Sequence, residues 1–263
     1  VAVSTELRVD PTEQSLAGFL YSQGNSRSVF IHGFAQNARC LGPFGELLAD
    51  CFELLAVDAP GHGNSVQHGK ANLVQGAELL CATAGKARYI GYSMGGRLGL
   101  QAALLHPELV ESLVLIGATA GIEDADERAE RERWDRDQAA YLEEVGLDEF
   151  LRAWLEQPLF RGLPDWARFD SERRTNTASG LAASLRCAGT GSMTPLWDQL
   201  PSMTCPVLII TGDSDERYCQ IGQRLAAQIG PNASHETIAD SGHAVHLEQP
   251  QITARTVLEF LNC

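Results

Sequence analysis

The chain is poor in positive charge: 20 Lys and Arg stand against 34 Asp and Glu, for a formal net charge of −14 over 263 residues. A nucleic-acid partner needs a basic face to neutralise phosphates, so the balance argues against that class. It leaves a small anionic substrate open, because local charge decides that binding. No stretch approaches the roughly 20 apolar residues of a membrane-spanning helix. Residues 1–10 hold neither a basic segment nor an apolar core, so no signal peptide is expected. Seven cysteines stand at positions 40, 51, 81, 187, 205, 219 and 263. Their number is odd, no C-x-x-C pair occurs, and their scatter predicts free thiols in a reducing cytoplasm. Histidines and cysteines show no metal-ligand spacing, and no dinucleotide fingerprint is present, so neither metal nor organic cofactor is called for. Internal repeats and low-complexity segments are absent as well.

What is present is ordinary for a globular enzyme, 44% hydrophobic and 21% charged, with enough chain for one large core and a lid. The rest is arranged around Ile90-Gly91-Tyr92-Ser93-Met94-Gly95-Gly96-Arg97, which reads G-x-S-x-G. Ahead of it, Ala87-Arg88-Tyr89-Ile90 has strand character. Behind it, Leu98, Leu100, Ala102, Ala103, Leu104 and Leu105 continue as an apolar helix stopped by His106-Pro107. Strand, sharp turn and helix predict a nucleophile elbow that lifts Ser93 Oγ clear of a sheet. A chance G-x-S-x-G in a glycine-rich turn would not come with both flanking elements.

Strands alternate with helices along most of the chain. Residues 6–9 and 16–21 predict an opening antiparallel hairpin. Strands follow at 28–32 and 54–58, the second ending in the turn Ala59-Pro60-Gly61-His62-Gly63-Asn64-Ser65. Helices are expected over 44–51 and 73–84, and a further strand over 110–116. From 121 to about 200 the texture changes. No strong strand run appears, residues 123–149 are dense in Glu, Asp and Arg, and Trp154, Trp166 and Trp197 punctuate a helical pattern. The sheet resumes at 207–211, followed by a helix over 220–229, a strand over 234–238 and a last helix over 250–261. The fold class expected is α/β: a mostly parallel sheet with helices on both faces, built from residues 1–120 and 201–263, with a helical cap of 121–200 inserted after the sixth strand.

A serine needs an imidazole to take its proton and a carboxylate to orient that imidazole. The chain order is serine, acid, histidine. The acid belongs just past a late strand, where Asp213 and Asp215 both qualify. Asp215 is favoured because the turn lets the loop leave the strand before the carboxylate points back. The histidine belongs between the last strand and last helix, where His243 stands. His106, His68 and His235 have bland surface readings, and His32 and His62 are structural candidates. His246 could line the pocket or cap a helix. The oxyanion hole is expected from the backbone amides of Phe34 and Met94. Arg97, one helical turn beyond Ser93, is out of place beside an uncharged ester but suits a substrate carboxylate, which a guanidinium grips with a bidentate fork. The cap runs Ala129-Glu130-Arg131 and Arg174-Thr175-Asn176 offer further cations. By charge pattern alone these arginines read more readily as surface ion pairs.

With these motifs in hand the sequence resembles, from about residue 29 to 261, the 2-succinyl-6-hydroxy-2,4-cyclohexadiene-1-carboxylate (SHCHC) synthase family of menaquinone biosynthesis, within the α/β-hydrolase fold. The carrying motifs are His32-Gly33-Phe34, Pro60-Gly61-His62-Gly63, the elbow with Arg97, Ala129-Glu130-Arg131, Trp154-Leu155-Glu156-Gln157-Pro158-Leu159-Phe160, Arg174-Thr175-Asn176 and Gly242-His243. The elbow, oxyanion and Pro-Gly-His-Gly motifs are shared across hydrolases; the elbow arginine with the cap motifs is far more specific. The resemblance implies a lyase that eliminates pyruvate from 2-succinyl-5-enolpyruvyl-6-hydroxy-3-cyclohexene-1-carboxylate. Ser93, Asp215 and His243 would be catalytic, with Ser93 the base. Phe34 and Met94 would supply the oxyanion amides, and Tyr92, Arg97, Arg131, Trp154 and Arg174 would bind a polycarboxylate. The same residues leave open a carboxylesterase or carbon–carbon bond hydrolase acting on an anion, or an inactive receptor for one.

Overall fold

The computed structural model describes residues 7–24 and 26–263. Strands β1 (Leu7–Val9) and β2 (Gly18–Leu20) form the antiparallel opening hairpin; Glu6, placed in it on sequence grounds, lies outside the described residues. Then come β3 (Arg27–Ile31), helix α1 (Gly42–Ala49), β4 (Glu53–Val57), α2 (Leu73–Ala84), β5 (Ala87–Tyr92), α3 (Met94–Leu105) and β6 (Val110–Ile116). Between β6 and β7 (Val207–Gly212) the described chain is helical: α4 (Ala125–Val145), α5 (Leu147–Leu155), α6 (Asp170–Arg173), α7 (Ala178–Ala188) and short 3-10 turns. Helix α8 (Glu216–Ile229), β8 (Ala233–Ile238), α9 (Val245–Glu248) and α10 (Pro250–Phe260) complete it.

The eight strands order as β1-β2-β4-β3-β5-β6-β7-β8, antiparallel at β1-β2 and β2-β4 and parallel from there on. The central strands are apolar at successive positions because both faces are covered: Val29, Phe30 and Ile31 in β3 and Leu113 to Ile116 in β6 are all fully buried. One face packs on α2, α3 and α8 through Leu80, Leu98 and Leu225, the other on α1 and α10 through Phe44, Leu48 and Val257. Edge strand β8 alternates in exposure, as a half-covered strand must. Helix α2 starts at a capping box, Asn72 Oδ1 accepting from Gln75 N–H at 2.9 Å and Gln75 Oε1 from Asn72 N–H at 3.0 Å.

The segment between β6 and β7 has a core of its own, with Ala139, Leu142, Phe150, Trp154, Leu181 and Leu185 buried together and Phe34 of the β3–α1 loop against them. Helix α4 buries only Asp135, Ala139 and Leu142 along its 21 residues, which is why its sequence reads as nearly all charge. That small core lies directly over the elbow side of the sheet.

The cysteine reading needs one correction. Cys51, just past α1, is bonded to Cys263, their Cα atoms 6.3 Å apart across 212 residues of sequence. Such a span fits disulfide geometry, and nothing in the spacing of the cysteines could announce it. The remaining five are free thiols.

Candidate active site

The elbow forms where β5 hands over to α3. Ser93 takes a positive φ of 51°, a strained value for a residue with a Cβ. The turn closes because Gly91 and Gly95 lack side chains: a Cβ on Gly91 would lie 2.4 Å from Gly95 O, and one on Gly95 would lie 2.1 Å from Ile31 O. Ser93 N–H donates to Ile116 O at 2.8 Å, pinning the serine to β6.

His243 arrives on the loop between β8 and α9. Its Nε2 is 3.1 Å from Ser93 Oγ, and its Nδ1 is 2.9 Å from Asp215 Oδ2. Asp215 also caps α8, its Oδ1 accepting from Tyr218 N–H at 3.3 Å, which explains why that helix starts at Glu216 rather than further on. Asp213 turns outward, where the backbone amides of Asp240 and Ser241 hold its carboxyl below the usual range. Of the two acids offered by the sequence, Asp215 is the one that touches His243. Tyr218 adds an edge-on ring 4.4 Å from the imidazole, centroid to centroid.

Phe34 lies on the loop after β3, and two buried histidines lock that loop. His32 Nε2 accepts from Ala59 N–H at 3.0 Å, so its proton is on Nδ1, which donates to Gly33 O at 2.7 Å. The peptide is planar and trans, so fixing Gly33 C=O on one side aims Phe34 N–H to the other. His62 Nε2 accepts from Ala35 N–H at 3.2 Å, and its Nδ1–H donates to Pro60 O at 3.0 Å. Gln36 Oε1 accepts from Gly33 N–H at 3.0 Å. Met94, first residue of α3, offers the other amide.

Both histidines must stay neutral for these bonds, and burial lowers His32 to about 4 and His62 to about 3. His246 does neither thing expected of it. It is fully buried among Phe30, Phe44 and Tyr92, both ring nitrogens without a partner, and burial lowers it to about 3. Unfolded, each imidazole titrates near 6.5. Below that value the unfolded chain binds protons that the folded chain refuses, so stability is whole above about pH 6.5 and falls as the pH drops toward 4. Each such proton is worth about 1.4 kcal/mol per pH unit. Urea midpoints measured from pH 7 to 5 should therefore fall steadily; a flat profile would contradict the buried neutral histidines.

Above Ser93, between the sheet and the helical segment that joins β6 to β7, lies a cavity of about 290 Å3 lined by Phe34, Tyr92, Met94, Arg97, Arg131, Trp154, Arg173 and His243 among others. Arg97 is buried, with Nη1 donating to Ala188 O at 2.7 Å, and burial without a carboxylate partner lowers it to about 10. Arg131 is fixed through Nε to Asp135 Oδ1 at 2.9 Å and lies over the Trp134 ring. Asp135 is the only acidic residue among the described lining residues. Trp154 meets Phe34 edge-on at 4.9 Å.

Arg174 is the expected site residue that the structure does not bring here. Its side chain is 56% exposed and its Nε is 2.7 Å from Asp148 Oδ1. The cation that faces the cavity is its neighbour Arg173, only 2% exposed, with Nε donating to Arg168 O at 2.6 Å and Nη1 to Ala35 O at 3.0 Å. Consecutive residues on a helical turn point about 100° apart, so only one of the pair can face inward. Asn176, buried three residues further on, marks the inner side; it donates to Arg173 O at 2.9 Å and accepts from Gly63 N–H at 2.8 Å. Arg173, Asp135, Gln36 and Tyr218 were not singled out from the sequence. Helical phase relative to Asn176 carried the signal for Arg173 alone.

Residues 29–256 match the alpha/beta hydrolase family. A Bacillus subtilis (strain 168) protein that carries the SHCHC synthase name provisionally is 36% identical over 246 residues, 89% of each chain. An Escherichia coli O1:K1 protein named SHCHC synthase is 31% identical, covering 89% of this chain and 92% of its own. Among solved structures, MenH from S. aureus superposes with a TM-score of 0.82 at 27% identity, over 98% of this chain and 97% of that one.

Proposed function

We propose, from the premise that this chain belongs to the SHCHC synthase family of α/β hydrolases, that it is a lyase that eliminates pyruvate from 2-succinyl-5-enolpyruvyl-6-hydroxy-3-cyclohexene-1-carboxylate to give SHCHC. The observation that carries the reading is the company Ser93 keeps: Arg97, Arg131 and Arg173 line its cavity in a chain of net charge −14. A substrate with three carboxylates accounts for three inward guanidinium groups; an uncharged ester accounts for none. In this reading residues 121–200 act as the cap that carries two of those arginines, over a core of 1–120 and 201–263.

The chemistry follows from the hydrogen bonds. His243 draws the Ser93 proton to Nε2 while Asp215 holds Nδ1–H, so Ser93 Oγ acts as a base toward the ring C–H beside the succinyl carbonyl. Electrons from that C–H bond move onto the carbonyl oxygen, where the amides of Phe34 and Met94 hold the charge. The enolate then collapses through the ring double bond, breaks the C–O bond to the enolpyruvyl group, and expels pyruvate as its enolate. The proton held between Ser93 and His243 returns to that leaving group. No water enters and no acyl-enzyme forms. Tyr92 and Trp154 shape the cavity wall.

The test is direct: the purified protein is given the enolpyruvyl substrate and pyruvate is followed by a coupled dehydrogenase, with a p-nitrophenyl ester in parallel. Pyruvate release is the expected result. Ester turnover without pyruvate would make it a carboxylesterase, and silence on both with tight anion binding would make it a receptor.

Among the described residues no helix is long and apolar enough to cross a membrane. The location we propose is the cytoplasm, on kinship with biosynthetic synthases and on five cysteines left as thiols.

A further inference from the structure

We infer that Glu248 is a positioning residue for His243, an inference that rests on the proposed partnership of Ser93 and His243. Glu248 ends the four-residue helix α9. Its Oε2 accepts from Gly242 N–H at 2.7 Å and its Oε1 from Ala244 N–H at 3.0 Å. The two peptide amides on either side of His243 thus terminate on the two oxygens of one carboxylate. Asp215 and Ser93 orient the imidazole ring; Glu248 sets the backbone from which the ring projects. A capping role for α9 explains the bond to Ala244 alone. It leaves the bond to Gly242, on the far side of His243, without a purpose.

An ionised carboxylate suits this place because it only accepts hydrogen bonds. Two loop amides converge on it, and an amide side chain would set its own N–H groups against one of them. Glu248 is outside the lining of the triad cavity. It borders a second, more open cleft of about 600 Å3 with Arg161, Gly162 and Asp215, which also reaches His243. The cap touches it there: a Cβ on Gly162 would lie 2.1 Å from Glu248 Oε2. The flexible carboxylate would yield to that methyl, and in yielding would leave Gly242.

The test uses Ser93 reactivity toward a fluorophosphonate, in which Ser93 Oγ bonds to phosphorus, fluoride leaves and the hydroxyl proton passes to His243. No substrate is needed, so the outcome is independent of the lyase reading. Glu248→Ala should be labelled at least 20-fold more slowly than the native chain, with kcat for pyruvate release falling in parallel and KM within threefold. Added formate, entering the open cleft to accept from the two amides, should restore labelling at least fivefold. Gly162→Ala, which retains the Glu248 carboxylate but pushes it away from Gly242, should slow labelling at least fivefold and carries the test if Glu248→Ala does not fold. Labelling of Gly162→Ala at the native rate, or slowed labelling of Glu248→Ala that formate does not relieve, overturns the inference. A native protein that labels but releases no pyruvate would end the lyase reading and leave Glu248 in its role.

Discussion

Ser93→Ala should lose roughly 10^3- to 10^4-fold in kcat for pyruvate release while binding SHCHC about as well as the native chain. The reason is local. Among the described residues, Ser93 Oγ is the hydroxyl that lies 3.1 Å from His243 Nε2, and alanine leaves the imidazole with nothing to activate. The arginines and the oxyanion amides are untouched by the change, so affinity for the product persists while the proton transfer goes. The loss alone does not separate a basic serine from a nucleophilic one, since both need the hydroxyl. Mass does. With Ser93 as base, intact-mass spectrometry of the native protein quenched during turnover should show the unmodified chain throughout. An adduct on Ser93 that builds and decays within the turnover time would defeat the elimination mechanism and favour hydrolysis through an acyl-enzyme. Wild-type-like turnover in Ser93→Ala would remove the serine from the reaction altogether.

The core of the fold was legible because its elements obey simple periods. Helix α2 starts and stops where its apolar spacing does, bounded by the Asn72 box, and β6 is buried from Ser112 to Ile116 with a glycine after it. The elbow was legible because three constraints coincide there: a strand, a helix, and glycines where backbone meets backbone. The site's outer parts were legible only in kind. Asp213 and Asp215 sit on one turn, and which of them meets His243 depends on how Asp215 caps α8, a contact with no period. His246 was misplaced because burial among Phe30, Phe44 and Tyr92 is assembled from β3, α1 and β5. The Cys51–Cys263 bond spans nearly the whole chain and leaves no local trace. Helix α4 hid its buried Asp135 in a crowd of surface charges.

The arginine pair at 173 and 174 turns that last kind of ambiguity into a measurement. Arg173→Ala should lower kcat/KM for the polycarboxylate about 10- to 100-fold, the effect of losing one charge-assisted contact of about 1.5–3 kcal/mol. Arg174→Ala should change it by no more than about twofold, because Arg174 pairs with Asp148 in solvent, where water and salt screen the attraction, and is not among the residues lining the cavity. Arg173 also donates to Ala35 O and Arg168 O, so its loss could loosen the Phe34 loop as well as remove a charge. The two effects part on the substrate side. If Arg173 binds a carboxylate, the penalty should shrink for an analogue lacking the carboxylate it grips, while a loosened oxyanion loop would penalise every substrate alike. Arg97 provides the reference, since among the described residues it is buried without a carboxylate partner and donates to Ala188 O and Met193 Sδ alone. Arg97→Ala should show the same dependence with a different carboxylate of the substrate. Should Arg174→Ala prove as damaging as Arg173→Ala, the inward guanidinium has been assigned to the wrong neighbour, and the charge balance drawn for the cavity goes with it.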